Sequence, residues 1–207
     1  MSASTMQPNL DQLAGLTGVR AGALSRWQET GWPNNRVEQW RFTRLTSLEK
    51  MDLRPASNAA TVGNAATAAT LPENGVVLSF SNGVLDVAGL AALPDGVKAS
   101  FLSENDTALA ALAASVPKSH PISDLSLAVM TSGLHLEIVG KVDVPIILVF
   151  TGDDNGVSSH PVLSVKLADG ASAALAEWHQ SAVGLSAPLM AIEVGDKARL
   201  DYAKVQR

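Results

Sequence analysis

Apolar residues recur every three to four positions near the start of the chain. Leu10, Leu13, Leu16, Val19, Ala23, Leu24 and Trp27 fall on one stripe, the mark of an amphipathic helix. Asn9 is the expected N-cap and Gly31 the expected stop. Gly15, Gly18 and Gly22 weaken this helix by about 1 kcal/mol each relative to Ala where exposed, so it depends on packing. Trp32-Pro33 breaks it. Short turns are expected at 36–40 and 47–51. Residues 56–70 are almost entirely Ala, Thr, Asn and Gly, carry no charge and have no apolar period. They read as a flexible linker. The chain therefore divides into a helical N-terminal region (1–55), the linker (56–70) and a β-rich region (71–207).

The β-rich region opens with a hairpin pattern. Val76-Val77-Leu78-Ser79-Phe80 is strand-like, Asn82-Gly83 is a turn pair, and Val84-Leu85-Asp86-Val87 resumes. Residues 103–114 read as a helix. Ser103 caps it, Asp106 sits at its third position, Leu109 and Leu112 mark its apolar face, and Pro117 ends it.

From about residue 123 the period changes to two, and the pattern repeats. A shift of 27 residues lays Pro161 on Pro188, Val165 on Ile192, Leu167 on Val194, Asp169 on Asp196 and Leu175 on Tyr202. A copy 29 residues earlier puts Leu134, Leu136 and Ile138 on Leu163, Val165 and Leu167. One parity is apolar and the other polar, as in a strand with one buried face. Successive units in matched register point to a mainly β fold, a parallel β-helix (solenoid) whose coils start near 123, with a small N-terminal α-helical region. An antiparallel sandwich is the rival.

Composition narrows the chemistry. None of the 207 residues is Cys. Disulfides, thiolate nucleophiles and Cys-ligated zinc or iron–sulfur clusters are therefore excluded for this chain. Net charge is −5 and unevenly placed. Residues 1–58 carry +2 and residues 71–207 carry −7, while three of the four Trp lie before residue 58. Trp27, Trp32, Trp40 and Phe42 interleave with Arg26, Arg36, Arg41 and Arg44. That pattern suits single-strand binding, yet the acidic body favours a small aromatic core, so no nucleic-acid partner is expected. The longest purely apolar run is 146–150, too short to span a bilayer, and no basic, apolar leader is present. A cytoplasmic protein without a membrane partner is expected.

Candidate chemistry is sparse. His120, His135, His160 and His179 show no paired ligand spacing. His135 lies on the polar parity, and His120 and His160 each precede a Pro. Asp153-Asp154-Asn155-Gly156 lacks the acidic residue that closes an EF-hand and reads as a solvated turn. No phosphate loop and no nucleophile elbow occur. No catalytic, cofactor-binding or metal residue is assigned, and no enzyme activity is expected.

One segment is more specific. Gly31-Trp32-Pro33-Asn34-Asn35-Arg36-Val37-Glu38-Gln39-Trp40-Arg41-Phe42-Thr43 resembles the Gly-Phe-Pro-x-x-Arg-x-Glu-x-Trp-Lys/Arg-Tyr/Phe-Thr signature of the SufD-type members of the SufB/SufD family. These are scaffold proteins of iron–sulfur cluster assembly. The hairpin around Asn82-Gly83, the run Asp124–Gly133, Val144-Pro145-Ile146, Ser159-His160-Pro161, Asp169–Ala173 and the ending Ala198–Gln206 are similar to its later landmarks, in order. Trp32 replaces the usual Phe, Asn34-Asn35 a typical Thr-Arg, and Ser126 the usual Asn.

The resemblance implies a non-catalytic scaffold acting with a SufB-like protein and a SufC-like ATPase, a homodimer being the other assembly. It implies no cofactor in this chain; the iron–sulfur cluster, and a flavin, belong to the full complex. Family members are longer, so the chain reads as their N-terminal half with an open end that a partner must cover. The family's site residues fall beyond Arg207, so none carries over. The alternative function is a carbohydrate-active or carbohydrate-binding β-helix protein, for which Trp178 and Tyr202 are the only strand-region Trp or Tyr.

Overall fold

A computed structural model describes residues 13, 15–35, 38–43, 45, 54–55, 71, 74–102, 107–117, 120–152, 156–181 and 184–206. Helix α1 (Gly18–Thr30) follows Thr17 as N-cap and ends at Gly31, whose φ of 64° suits glycine. The helix starts later than the apolar stripe suggests. Gly15 (φ 95°) and Gly18 (φ 57°) take left-handed conformations that interrupt helical backbone. Asn9, the linker 56–70, the turn at 47–51 and the proposed cap Ser103 lie outside the described residues. A 3-10 segment covers Glu38–Trp40.

Next come β1 (Arg54–Pro55), β2 (Val76–Ser81) and β3 (Val84–Leu85). Strands β2 and β3 form the expected hairpin, with Phe80 opposite Leu85. Asn82 (φ 50°) and Gly83 (φ 83°) supply the two positive φ values of its turn. A second 3-10 segment, Val87–Ala92, starts on the Asp86 carboxylate, which accepts from the Ala88 amide. Strand β4 (Val97–Phe101), helix α2 (Thr107–Ser115) and helix α3 (Pro121–Ala128) lead to the remaining strands. These are β5 (Ser132–Ile138), β6 (Ile146–Gly152), β7 (Val157–Ser159), β8 (Pro161–Leu167) and β9 (Ser172–Ser181). The last three are β10 (Leu185–Ser186), β11 (Leu189–Val194) and β12 (Arg199–Gln206).

The expectation of a mainly β chain built as a parallel β-helix is corrected. The architecture is mixed α/β. Among the described residues, three α-helices accompany three separate sheets with orders β1-β7-β10, β11-β8-β5-β4 and β12-β9-β6-β2-β3. Two sheets mix directions, because β4 pairs antiparallel with β5 and β3 antiparallel with β2. The stretch expected to begin the strands is helical instead. Pro121 occupies the first turn of α3, where its missing N–H costs nothing, and the His120 side chain accepts from the Ser123 amide as N-cap. Helix α3 is buried along nearly its whole length, so its apolar positions show no clean period. The 27- and 29-residue spacings correspond to pairing registers of parallel neighbours. Val165 pairs with Ile192 and with Leu136, and Leu175 pairs with Tyr202 and with Ile146.

Two cores result. One lies between the larger sheets, where Leu134, Leu136, Leu163 and Val165 meet Leu78, Phe80, Leu148 and Phe150. The other joins the helices to the outer face of β8 through Trp27, Trp32, Leu109, Leu112, Leu125 and Val162. Arg20 donates two hydrogen bonds (3.2 and 3.0 Å) to the Ala128 carbonyl at the C-terminus of α3, where a cation is favoured. Among the described residues, no helix is long and apolar enough to cross a membrane.

Candidate functional site

The inner face of the five-stranded sheet changes character across its strands. Register stacks Phe80 of β2, Phe150 of β6 and His179 of β9, with ring centroids 5.0 and 4.7 Å apart. Beside this column the series runs from Leu78 and Leu148 to Glu177 and Lys204, and from Val76, Ile146 and Leu175 to Tyr202. This face is apolar at β2 and β6 and gains polar side chains at β9 and β12, where Ala173, Leu175 and Leu200 continue the apolar core.

Four side chains converge there. Glu177, 4% exposed, accepts from His179 Nε2 through Oε2 (2.6 Å) and from the Tyr202 hydroxyl through Oε1. Lys204 Nζ lies 3.3 Å from Oε2. Burial pushes the Glu177 carboxyl up, but the hydrogen bonds from His179 and Tyr202 and the charge of Lys204 outweigh it and hold the group below its ordinary range. Burial, then the hydrogen bond and charge of Glu177, raise the Tyr202 phenol above its ordinary value. The group therefore rests as a carboxylate surrounded by donors. Tyr202 is 44% exposed and the Lys204 side chain 42%, so the cluster opens to solvent along β12.

The other histidines do not join it. His160 is fully buried, and burial lowers it from 6.5 to about 3. Its Nδ1 lies 3.1 Å from Ser126 Oγ, and the Ser126 hydroxyl donates to the Ala187 carbonyl (2.8 Å). Ser126 has one hydrogen to give, which assigns the proton of the first contact to His160 Nδ1. His160 thus fastens α3 to the strand turns around 160 and 187. His120 caps α3 and faces the Trp40 ring at 5.5 Å. His135 lies on the outer face with Nδ1 3.0 Å from Ser164 Oγ.

In the aromatic head, Trp27 and Trp32 are buried and meet edge to face at 6.3 Å. Phe42 is exposed beneath the Arg41 guanidinium. Arg36, Arg44 and the Asp153–Asn155 turn lie outside the described residues. Among the described residues, no three His, Asp or Glu side chains gather as metal ligands.

The sequence reading missed the quartet. Its signal was present: Glu177 and His179 stand on the apolar parity of β9, and the 27-residue register lays Lys204 on Glu177. Of the two strand aromatics behind the carbohydrate alternative, the half-exposed Tyr202 donates to Glu177, and Trp178 stands on the opposite parity of β9. No family model matches the chain, and no curated protein matches it.

Proposed function

We propose that this chain is a non-catalytic scaffold subunit in iron–sulfur cluster assembly, working with SufB-like and SufC-like proteins. The observation that carries the reading is the head segment Gly31–Thr43, followed in order by the later family landmarks along nearly the whole chain. A role in protein assembly has a second support. Among the described residues, β11 pairs only with β8 and β12 only with β9, which leaves their outer edges as templates for further strand pairing. The cluster, and any flavin, belongs to the complex rather than to this chain.

Co-expression of the full reading frame with SufB and SufC homologues, followed by affinity capture on a tag carried by this chain, tests the proposal. A stoichiometric complex that survives gel filtration is expected. Recovery of this chain alone, well folded, overturns it.

A further inference from the structure

We propose that the cavity between α1, the end of α2 and the first turn of α3 binds a small molecule that carries a primary carboxamide on an apolar body. The cavity measures about 590 Å³, within the range of small-ligand sites. Val19, Ala113, Val116 and Pro117 give it apolar walls, and Arg26 and Asp124 line it with polar atoms. The Asp124 side chain is 4% exposed, yet both contacts from Arg26 fall on one of its oxygens. Nε lies 2.8 Å and Nη2 2.7 Å from Oδ1. Among the described residues, Oδ2 accepts no hydrogen bond, and a buried carboxylate oxygen calls for a donor. The Arg26 guanidinium is likewise engaged on one side only. Its Nη1 donates to nothing among the described residues and stands over Gly22.

Gly22 is an independent sign that something occupies this space. It sits inside α1, where glycine is the poorest helix former after proline. Its φ is not left-handed, and the only heavy atom within 4 Å of an added Cβ would be Arg26 Nη1, at an ordinary 3.5 Å. Packing within the chain therefore does not demand a glycine. The missing side chain keeps the cavity open beside Arg26, and close approach of a ligand to backbone is a recurrent use of glycine. The class of ligand follows from the ion pair. Arg26 and Asp124 are neutral as a unit, so an incoming ammonium meets the Arg26 charge and an incoming carboxylate meets that of Asp124. A neutral group with a donor and an acceptor on neighbouring atoms suits both. The carboxamide N–H donates to Asp124 Oδ2, and its carbonyl accepts from Arg26 Nη1. The apolar body lies against Val19, Val116 and Pro117.

Heteronuclear NMR of the isotope-labelled full chain, titrated at neutral pH with benzamide, benzoate and benzylammonium, tests the assignment. Benzamide carries the carboxamide on an apolar ring, and the other two probes replace it with an anion and a cation. Benzamide is expected to give saturable shifts at the Gly22, Ala113 and Asp124 amides and at the Arg26 Nε–H. Benzoate and benzylammonium are expected to bind at least ~10-fold more weakly, since each brings a charge beside its like. Gly22→Leu places a side chain in the cavity and suits a helix better than glycine. It is expected to fold and to lose the benzamide shifts. No saturable benzamide shift at these positions, equal binding of the three probes, or full benzamide binding by folded Gly22→Leu overturns the proposal. The comparison of probes on the unaltered chain decides the question even where the variant does not fold. The proposal does not rest on the scaffold reading, since the titration needs no partner, and either result leaves the capture experiment to be judged by itself.

Discussion

His160 shows how one residue ties the chain to pH. Its imidazole is buried and neutral, with its proton-binding affinity lowered to a pKa of about 3. In the unfolded chain it binds a proton as pH falls through 6.5; in the folded chain it does not until pH nears 3. Between those values the unfolded state holds the extra proton, so stability rises with pH and is lost on acidification. The limiting slope is about 1.4 kcal/mol per pH unit. Urea unfolding of His160→Asn across that window is expected to show the slope reduced by this contribution, whatever its absolute stability. An unchanged slope would show that His160 is protonated in the fold.

Backbone positions make a second residue-scale prediction. A Cβ on Gly195 would lie 2.6 Å from Asp169 Oδ1 and 2.8 Å from the Asp169 nitrogen. Gly195→Ala should therefore cost about 1–3 kcal/mol. Lys197 takes φ 56° at the corner where Gly170 takes 69° one strand earlier. Lys197→Gly should raise stability by about 1 kcal/mol by removing left-handed strain. Thermal or urea unfolding checks both signs. The Asp169/Asp196 match was visible in the sequence, but its cause was not: the Asp169 carboxylate accepts from the Asp196 amide (2.8 Å).

At the scale of elements, α3 decides how the helices meet the sheet. Its Asp124 side chain is 4% exposed and pairs with Arg26 of α1 at 2.7 Å, while the Arg26 side chain is 49% exposed. Arg26→Ala leaves a buried carboxylate with its charge partner gone, which costs several kcal/mol in a dry site. Solvent at the Arg26 end reduces this to about 1–2 kcal/mol. The strand register carries its own electrostatics. Across four strands Lys98, Glu137, Lys166 and Glu193 stand in one row with alternating charge, and Lys166 reaches Glu193 at 3.2 Å. Lys166→Glu places three acids side by side and should destabilise by about 1 kcal/mol or more, recoverable in high salt.

Elements differ in how far the sequence revealed them. The hairpin at Asn82-Gly83 and the alternating strands β5, β8, β9, β11 and β12 were legible, because turn chemistry is local and period two survives wherever one face is wet. Helix α3 was not legible. Buried between α1 and the sheet, it has no polar face to give a period of 3.6, and its Leu125-Ser126-Leu127 imitates strand alternation. The misreading of α3 also hid His160 and Asp124, whose burial α3 creates. The quartet was not legible because Glu177 and His179 stand on the apolar parity of β9, where alternation alone marks a buried hydrophobic face.

The molecule as a whole joins an apolar core at β2 and β6 to a partly polar end at β9 and β12 that opens to solvent along β12. Acid should therefore act on it in two stages. The first begins as pH falls through 6.5, where the buried, neutral His160 weakens the fold. The second begins below the ordinary Glu177 value of 4.5. Because the fold depresses Glu177, its contribution is fully present above 4.5 and is lost as pH drops through the lower folded value. Protonation of Glu177 removes the acceptor shared by His179, Tyr202 and Lys204 at once, so this second loss belongs to β9 and β12. Hydrogen exchange resolved by residue provides the measurement. On acidification, the β12 amides that bond to β9 should lose protection before those joining β2 to β6, whose stacking rests on Phe80 and Phe150. In Glu177→Gln the second stage should vanish while the first remains. Simultaneous loss of protection in all strands would mean that the polar end and the apolar core unfold as one unit.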